Sequence, residues 1–414
     1  MLRSSPILLL ALLATLPAWS QTVVHNSGQT IFVNSDADVF VQGGDLDNAA
    51  GTFENLGEVE VTGAIRNGEF LRGGPVGSRF ILQGDWINDA SFGAIQSEVL
   101  MDGAAQRIGG TSYTTFHDLR LSGTDTKTLD LDVMVDGVLD LTDRELATDT
   151  HVLHVLNTDI GAIQRTSGYV SSLGNGRLWR STDITEPYLF PLGDAVTGDY
   201  RPVEMTPTST SSTIFSGRLV FQDPTTLGYD RSQRAVDVLD VNDRFFHLLG
   251  RRSGSADADV RVYYDPATDG SWTDMARWRD VEWTLVDGST TTGVDFVEKS
   301  DVSLSYQDDV IALAEREDLT LYAIPTAFSP NGAFDENRTF HVIDQFDRVE
   351  VTDMQVFNRW GELVYDARRD GGDAWNGRFN GQDQPGGTYS YVIRLRTDQG
   401  DEIGPVDGTV LLIW

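Results

Sequence analysis

The sequence predicts an all-β protein: an irregular or solenoid-like β-stack, then an immunoglobulin-like sandwich, then a small C-terminal β-sandwich. Three observations carry that expectation. Glycine is frequent, at 41 of 414 residues. Short pieces of alternating apolar and polar residues are broken by Asn, Asp and Gly. Helix-forming alanine and leucine runs are scarce beyond the first twenty residues.

Those first twenty residues read as a secretory signal peptide. Arg3 supplies a positive start, Ile7 to Leu16 an apolar centre, and Ala18-Trp19-Ser20 a small-x-small site before Gln21. No cysteine follows the apolar centre, so a lipoprotein signal is not expected. No later stretch has the length of a transmembrane anchor. The chain contains no cysteine at all. An exported protein without disulfides must draw its stability from packed cores or stacked repeats, and thiol chemistry is ruled out.

Residues 21–207 form the first expected region. "VQGGDLDNAAGTF" at 41–53 aligns with "ILQGDWINDASFG" at 81–93, and "NLGEVEV" and "NGEFLRG" lie between them. In "LDLDVMVDGVLDLTD", at 129–143, apolar residues recur at every second position. Strands this short cannot bury a face alone, but stacked coils can. A conventional β-sandwich with degenerate hairpins is the alternative. The Ser/Thr/Pro-rich "TPTSTSS" that follows reads as a linker or exposed loop. Residues 214–320 then offer at least five strand candidates, among them "GRLVFQD" and "DVRVYYDP". Such spacing suits an immunoglobulin-like sandwich.

Charge narrows the function. The formal net charge is -32, which argues against nucleic acid or an anionic membrane face as partner. Lysine occurs only at 127 and 299, and arginine supplies the rest of the positive charge. This balance suits a protein of saline surroundings, where salt screens self-repulsion, or simply an acidic exported one.

Candidate chemical sites are few. His151 and His154, three apart, point to opposite faces of a strand, which disfavours a zinc site. HExxH, a phosphate-binding glycine loop and GxSxG are all missing from the sequence. No catalytic residue, metal ligand or cofactor is expected. Asp- and Asn-rich pieces at 34–40, 265–271 and 329–337 could supply calcium oxygens, but the same residues are ordinary turn formers. Trp272, Trp278 and Trp283 could form a sugar-stacking face. On one continuous strand, however, Trp278 and Trp283 would lie on opposite faces, and core packing is the alternative.

Residues 322–414 read as a compact β-unit. "MQVFNRWGELVYDA" alternates around a tight turn at Arg359-Trp360-Gly361, where Gly361 can take positive φ. Trp375 precedes a second turn at Asn376-Gly377, and Trp360 and Trp375 are both expected to plug the core. Tyr389, Tyr391, Ile393 and Leu395 share one strand face. The apolar end "DGTVLLIW" is expected to be held in a sheet.

These spaced motifs resemble the type B, or gliding-motility-associated, C-terminal domain of proteins exported by the type IX secretion system of Bacteroidota. The matching positions are Pro325 and Phe328, then Ser329, Pro330, Asn331 and Gly332. They continue with Asn358, Arg359, Trp360 and Gly361, and with Trp375 and Gly377. Pro385, Gly387, Thr388 and Tyr389 complete the pattern. The chain departs from it at "AFDENRTF" after Ser-Pro-Asn-Gly, and it lacks a basic residue near its end. The resemblance implies recognition by the type IX machinery and a secreted or outer cell-surface location. The pieces at 84–88, 103–110, 116–121, 190–194 and 200–203 resemble adhesin-like surface-protein segments. Together these resemblances point to a non-enzymatic, adhesin-like or matrix-type protein, with an extracellular glycan or protein as partner. A carbohydrate-binding or degrading protein, or a structural part of the gliding or secretion machinery, are the alternatives.

Overall fold

The computed structural model describes residues 21–316, 322–344, 349–397 and 402–414, with only the main chain of 21–23. The expected signal peptide lies outside these residues. The chain forms two compact units that divide between Glu317 and Asp318.

The larger unit begins as the expected solenoid. Parallel strands of its first face begin at Asp38, Glu58, Arg79, Glu98, Asp118, Leu139 and Ile163, one coil every 19 to 24 residues. The second face runs through Gly44–Asn55, Ile65–Asn67, Trp86–Asn88, Gln106–Gly110, Lys127–Leu129, Glu145–Ala147 and Tyr169–Ser171. A third face forms from Thr114–Phe116, Val133–Val135, Val152–Val155 and Arg177–Thr182. Parallel register stacks like on like. Val39, Val59, Phe80, Val99, Leu119, Leu139 and Ile163 form one column, and from Val59 to Leu139 it is sealed from solvent. Each such side chain contributes roughly 1.5–3 kcal/mol by leaving water.

Polar side chains stack as well. Asn26, Asn48, Asn67 and Asn88 are buried one above another, each amide Nδ2 donating to the next Oδ1 at 2.8, 3.0 and 2.8 Å. They also reach carbonyls at the starts of strands, such as Phe70 O at 3.0 Å and Ser91 O at 2.9 Å. The ladder thus satisfies backbone acceptors at the corners that short strands leave open. The two aligned pieces at 41–53 and 81–93 are two coils apart, because Leu46 pairs with Ile65 and Ile65 with Trp86.

The Ser/Thr-rich stretch is an exposed loop, one of its two expected forms, while the expected sandwich takes a different form. The third face does not end at Thr182. It continues as antiparallel strands Thr213–Val220, Phe246–Ser253, Asp309–Arg316, Asp274–Arg279 and Glu282–Leu285. A second antiparallel sheet comprises Tyr188–Phe190, Val203–Pro207, Ala258–Tyr263, Phe296–Val302 and Thr290–Thr292. One apolar core runs from Val33 to Leu313 through both sheets and the solenoid. No separate immunoglobulin-like sandwich is set off at 214, and the Ser/Thr-rich stretch is a loop from one sheet to the other within one unit. The physical reason is the open end of the solenoid. Its last parallel edge at Arg177–Thr182 needs a partner strand, and Thr213–Val220 supplies it.

The smaller unit holds a five-stranded sheet in the order Ala327–Phe328, Glu402–Leu412, Gly387–Thr397, Val349–Phe357 and Leu363–Asp366. A two-stranded ladder of Phe340–His341 with Ala374–Trp375 supplies further core. The terminal apolar strand is fixed in the sheet as expected, with Val410 and Leu412 buried.

Candidate recognition surface

In the smaller unit, the structure assigns different work to the motif residues. Phe328 is buried, with its ring centroid 6.1 Å from Phe340 and 5.4 Å from Trp375. Ser329 to Gly332 closes a turn in which Gly332 N donates to Ser329 O at 2.9 Å, while Arg338 Nε donates to Gly332 O at 3.0 Å. Pro325 is half-buried and Asn331 is exposed. Trp375 is fully buried, stacks edgewise on Tyr389 at 4.8 Å and donates from Nε1 to Arg378 O at 3.0 Å. Gly377 sits at φ 78°, where a side chain is strained, and an added Cβ would press on Pro330 and Leu412 at 3.1 Å.

Trp360 departs from expectation. It is 83% exposed and plugs no core. The reason is local. Asn358 Oδ1 accepts the amides of Trp360 and Glu362, both at 3.0 Å, and Gly361 takes φ 79°. This closes the chain so tightly that the indole stands at the tip, outside the pleat. A residue at a turn apex has no core face to join, and that signal was present in the spacing. Arg359 lies beside it, its guanidinium 5.7 Å from the Trp360 ring centre.

The structure brings this turn against Gln384 to Tyr389, and the two line one cleft of about 320 Å³. Two bonds hold the far wall: Tyr389 OH donates to Pro385 O at 2.8 Å, and Trp414 Nε1 donates to Gln384 O at 2.7 Å. Burial pushes the Tyr389 hydroxyl pKa up, opposed by the charge of Arg359. Asn358, Arg359, Trp360, Pro385, Gly387 and Thr388 thus share one surface, and the buried Tyr389 backs it. Phe328, Trp375 and Gly377 build the core beneath the unit.

In the larger unit the expected candidates resolve into structure. His151 Nδ1 sits 3.6 Å from Asp132, while His154 Nε2 meets Ser181 Oγ at 3.0 Å. The three tryptophans do not present one exposed face. The chain reverses at Asp280 and Val281, at φ 47° and 72°, so Trp278 and Trp283 are cross-strand partners on one face, 5.6 Å apart. Trp283 is fully buried, and Trp272 Nε1 donates to Asp269 O at 2.8 Å. Within the 265–271 piece, Asp265 caps a short helix and Asp269 is buried against Arg201. Among the described residues, no group of three or more His, Cys, Asp or Glu is placed to hold a metal ion.

Sequence reading missed the fate of the two lysines. Both are fully buried. Lys127 Nζ donates to the carbonyls of Gly103, Ala104 and Thr124 at 2.8, 2.5 and 3.0 Å. Lys299 Nζ meets Asp274 Oδ1 at 3.0 Å and Thr290 Oγ1 at 2.8 Å. A surface almost free of lysine was visible as composition, but the burial was not.

Residues 322–410 match the family model of CHU_C, the type IX secretion signal domain. No curated protein and no solved structure matches the chain. The smaller unit is therefore a type IX secretion signal domain, and the chain is cargo of that export route. Type IX export carries it to the cell surface or the medium, and engagement of the secretion machinery follows from the same domain.

Proposed function

We propose that residues 21–316, once exported, serve as a non-enzymatic, adhesin-like or matrix-type surface that engages an extracellular glycan or protein. The observation that carries this reading is the employment of the buried ionisable groups. Perturbed, buried charges are where catalytic work is ordinarily sought, and here most of their polar atoms meet internal partners, while Arg180 Nε, Arg218 Nε and His247 Nδ1 are left without a hydrogen bond. Lys127 binds three carbonyls, Arg180 Nη1 donates to Leu189 O at 2.9 Å, and His247 Nε2 lies 2.8 Å from Arg201 O. Arg201 is clamped on Asp269 at 2.5 and 3.0 Å. These groups hold the fold. What faces outward is a broad, acidic, coiled surface of the kind that binds through area. A cleaved signal peptide at 1–20 is part of the same reading.

One observation favours a second reading, carbohydrate binding. Tyr200, Tyr263 and Glu204 line a cleft of about 310 Å³, and Tyr263 OH donates to Glu204 at 2.8 Å. The test is fractionation of a host with a type IX system, comparing the full chain with a truncation after Thr320. Full chain outside and truncation held in the periplasm, with surface attachment lost alongside, is the expected result. Equal attachment by both strains would refute the adhesin reading, and turnover of a polysaccharide would replace it.

A further inference from the structure

We propose that the cleft between the Asn358–Glu362 turn and Gln384–Tyr389 is where a component of the export machinery inserts an extended, carboxylate-bearing segment, with Trp360 and Arg359 as the anchors. The inference rests on the smaller unit being an export signal, and it specifies which of its surfaces is read.

The first argument is the cost of Trp360. The turn is built by Asn358 and Gly361: besides the two bonds to Asn358 Oδ1, Gly361 N donates to Asn358 O at 2.9 Å and Asn358 N to Glu362 O at 3.0 Å. None of these bonds needs an indole. A tryptophan 83% exposed on a turn so firmly closed leaves a large apolar surface in water without stabilising the unit. Its burial against a partner would recover that loss, and Trp, Tyr and Arg are the residues that carry most binding energy.

Pre-organisation is the second. The opposite wall is pinned through the carbonyls of Gln384 and Pro385 by Trp414 and Tyr389. A segment entering between the two walls would order little of the cleft, so little entropy opposes binding. Flat walls of proline, glycine and aromatic rings suit an extended chain.

Charge supplies the third. The chain has 63 acidic residues, yet the cleft is lined by one cation, Arg359, and no carboxylate. Arg338, Arg368, Arg369, Arg378 and Arg396 of the same unit each meet a carboxylate. Arg359 has no such ion pair among the described residues, and of the two arginines in this unit without one, Arg359 and Arg394, only Arg359 lines the cleft. The nearest turn acid, Glu362, is held by Asn358 Nδ2 at 2.9 Å. An unpaired guanidinium beside an exposed indole selects a carboxylate neighbouring an apolar group. A second copy of this chain would bring net negative charge against net negative charge.

The test uses the full chain in a host with a type IX system. Trp360→Ala and Arg359→Glu should each lower the ratio of extracellular to periplasmic protein about tenfold or more, with Arg359→Lys less affected. Melting of the purified chain should be unchanged. Normal export of both variants would overturn the inference while leaving the export reading intact. Export of the truncation after Thr320 would overturn the export reading itself. Unfolding caused by Trp360→Ala would contradict the exposed, unpartnered role given to the indole, and so would also count against the inference. A photo-crosslinking residue at position 360 identifies the occupant. A cross-link to an Asp- or Glu-containing segment of the export machinery is expected, and adducts only to lipopolysaccharide or to a second copy would overturn the inference.

Discussion

Asn67→Ala removes the central rung of the asparagine ladder. Asn67 Oδ1 accepts from Asn48 at 3.0 Å, and its Nδ2 donates to Asn88 Oδ1 at 2.8 Å and to Ser91 O at 2.9 Å. Three bonds at about 1 kcal/mol each are lost. Asn48 Nδ2 keeps Phe70 O at 3.0 Å, but Asn88 Oδ1 loses a buried donor, which adds roughly 1–2 kcal/mol. The total is about 4 kcal/mol of local stability in the coils around residues 48–91. Hydrogen exchange read peptide by peptide measures this directly, because a stacked array opens in parts. Protection of the amides at Gly68 and Asp89, which donate to Asn48 O and Asn67 O at 2.8 Å, should fall several-hundredfold. Asn67→Asp should be as damaging near neutral pH, since two acceptors then face each other. It should recover partly in acid, where the protonated carboxyl can donate. A loss below about 1 kcal/mol for Asn67→Ala would refute the view that the ladder stabilises the turns.

Three further outcomes are expected. His247 is fully buried, and burial drives its pKa down to about 4. The unfolded chain therefore binds the extra proton between about pH 6.5 and 4, and this contribution to stability is lost as pH falls through that window. Between pH 7 and 5 the loss is about 2 kcal/mol, and His247→Phe should remove that part of the acid sensitivity in melting curves. Lys299→Met leaves Asp274 buried with one fewer cation, although Arg316 stays at 2.7 Å. It should cost about 3 kcal/mol, measurably more than Lys299→Met combined with Asp274→Leu in urea unfolding. Trp375→Ala empties the core of the signal domain and should destabilise it by about 3–5 kcal/mol. Trp360→Ala should leave the same transition within about 0.5 kcal/mol. Equal effects of the two tryptophans would contradict their assigned roles.

Much of the fold could be read locally. Alternation at period two placed Tyr389, Tyr391, Ile393 and Leu395 on one buried face. The Asn-Gly punctuation marked coils whose repeat is real but uneven, between 19 and 24 residues. The turn at Asn358–Gly361 was readable because its hydrogen bonds lie within five residues. What could not be read were partnerships across long separations. The third solenoid face passing into antiparallel strands depends on Arg177–Thr182 meeting Thr213–Val220. The hairpin at Asp280–Val281, which turns Trp278 toward Trp283, depends on φ values that non-glycine residues seldom take. A tryptophan in a sequence is apolar whether or not anything covers it. Composition and periodicity therefore determined that this chain is all-β, acidic and built of coils, and the spaced motifs of residues 322–414 carried the resemblance to an export signal. Tertiary structure alone decided that both lysines lie inside, and that Trp360, unlike Trp375, stands in water beside an arginine that has no carboxylate partner. Burial is a property of what the rest of the chain brings near, and it is written in no single segment.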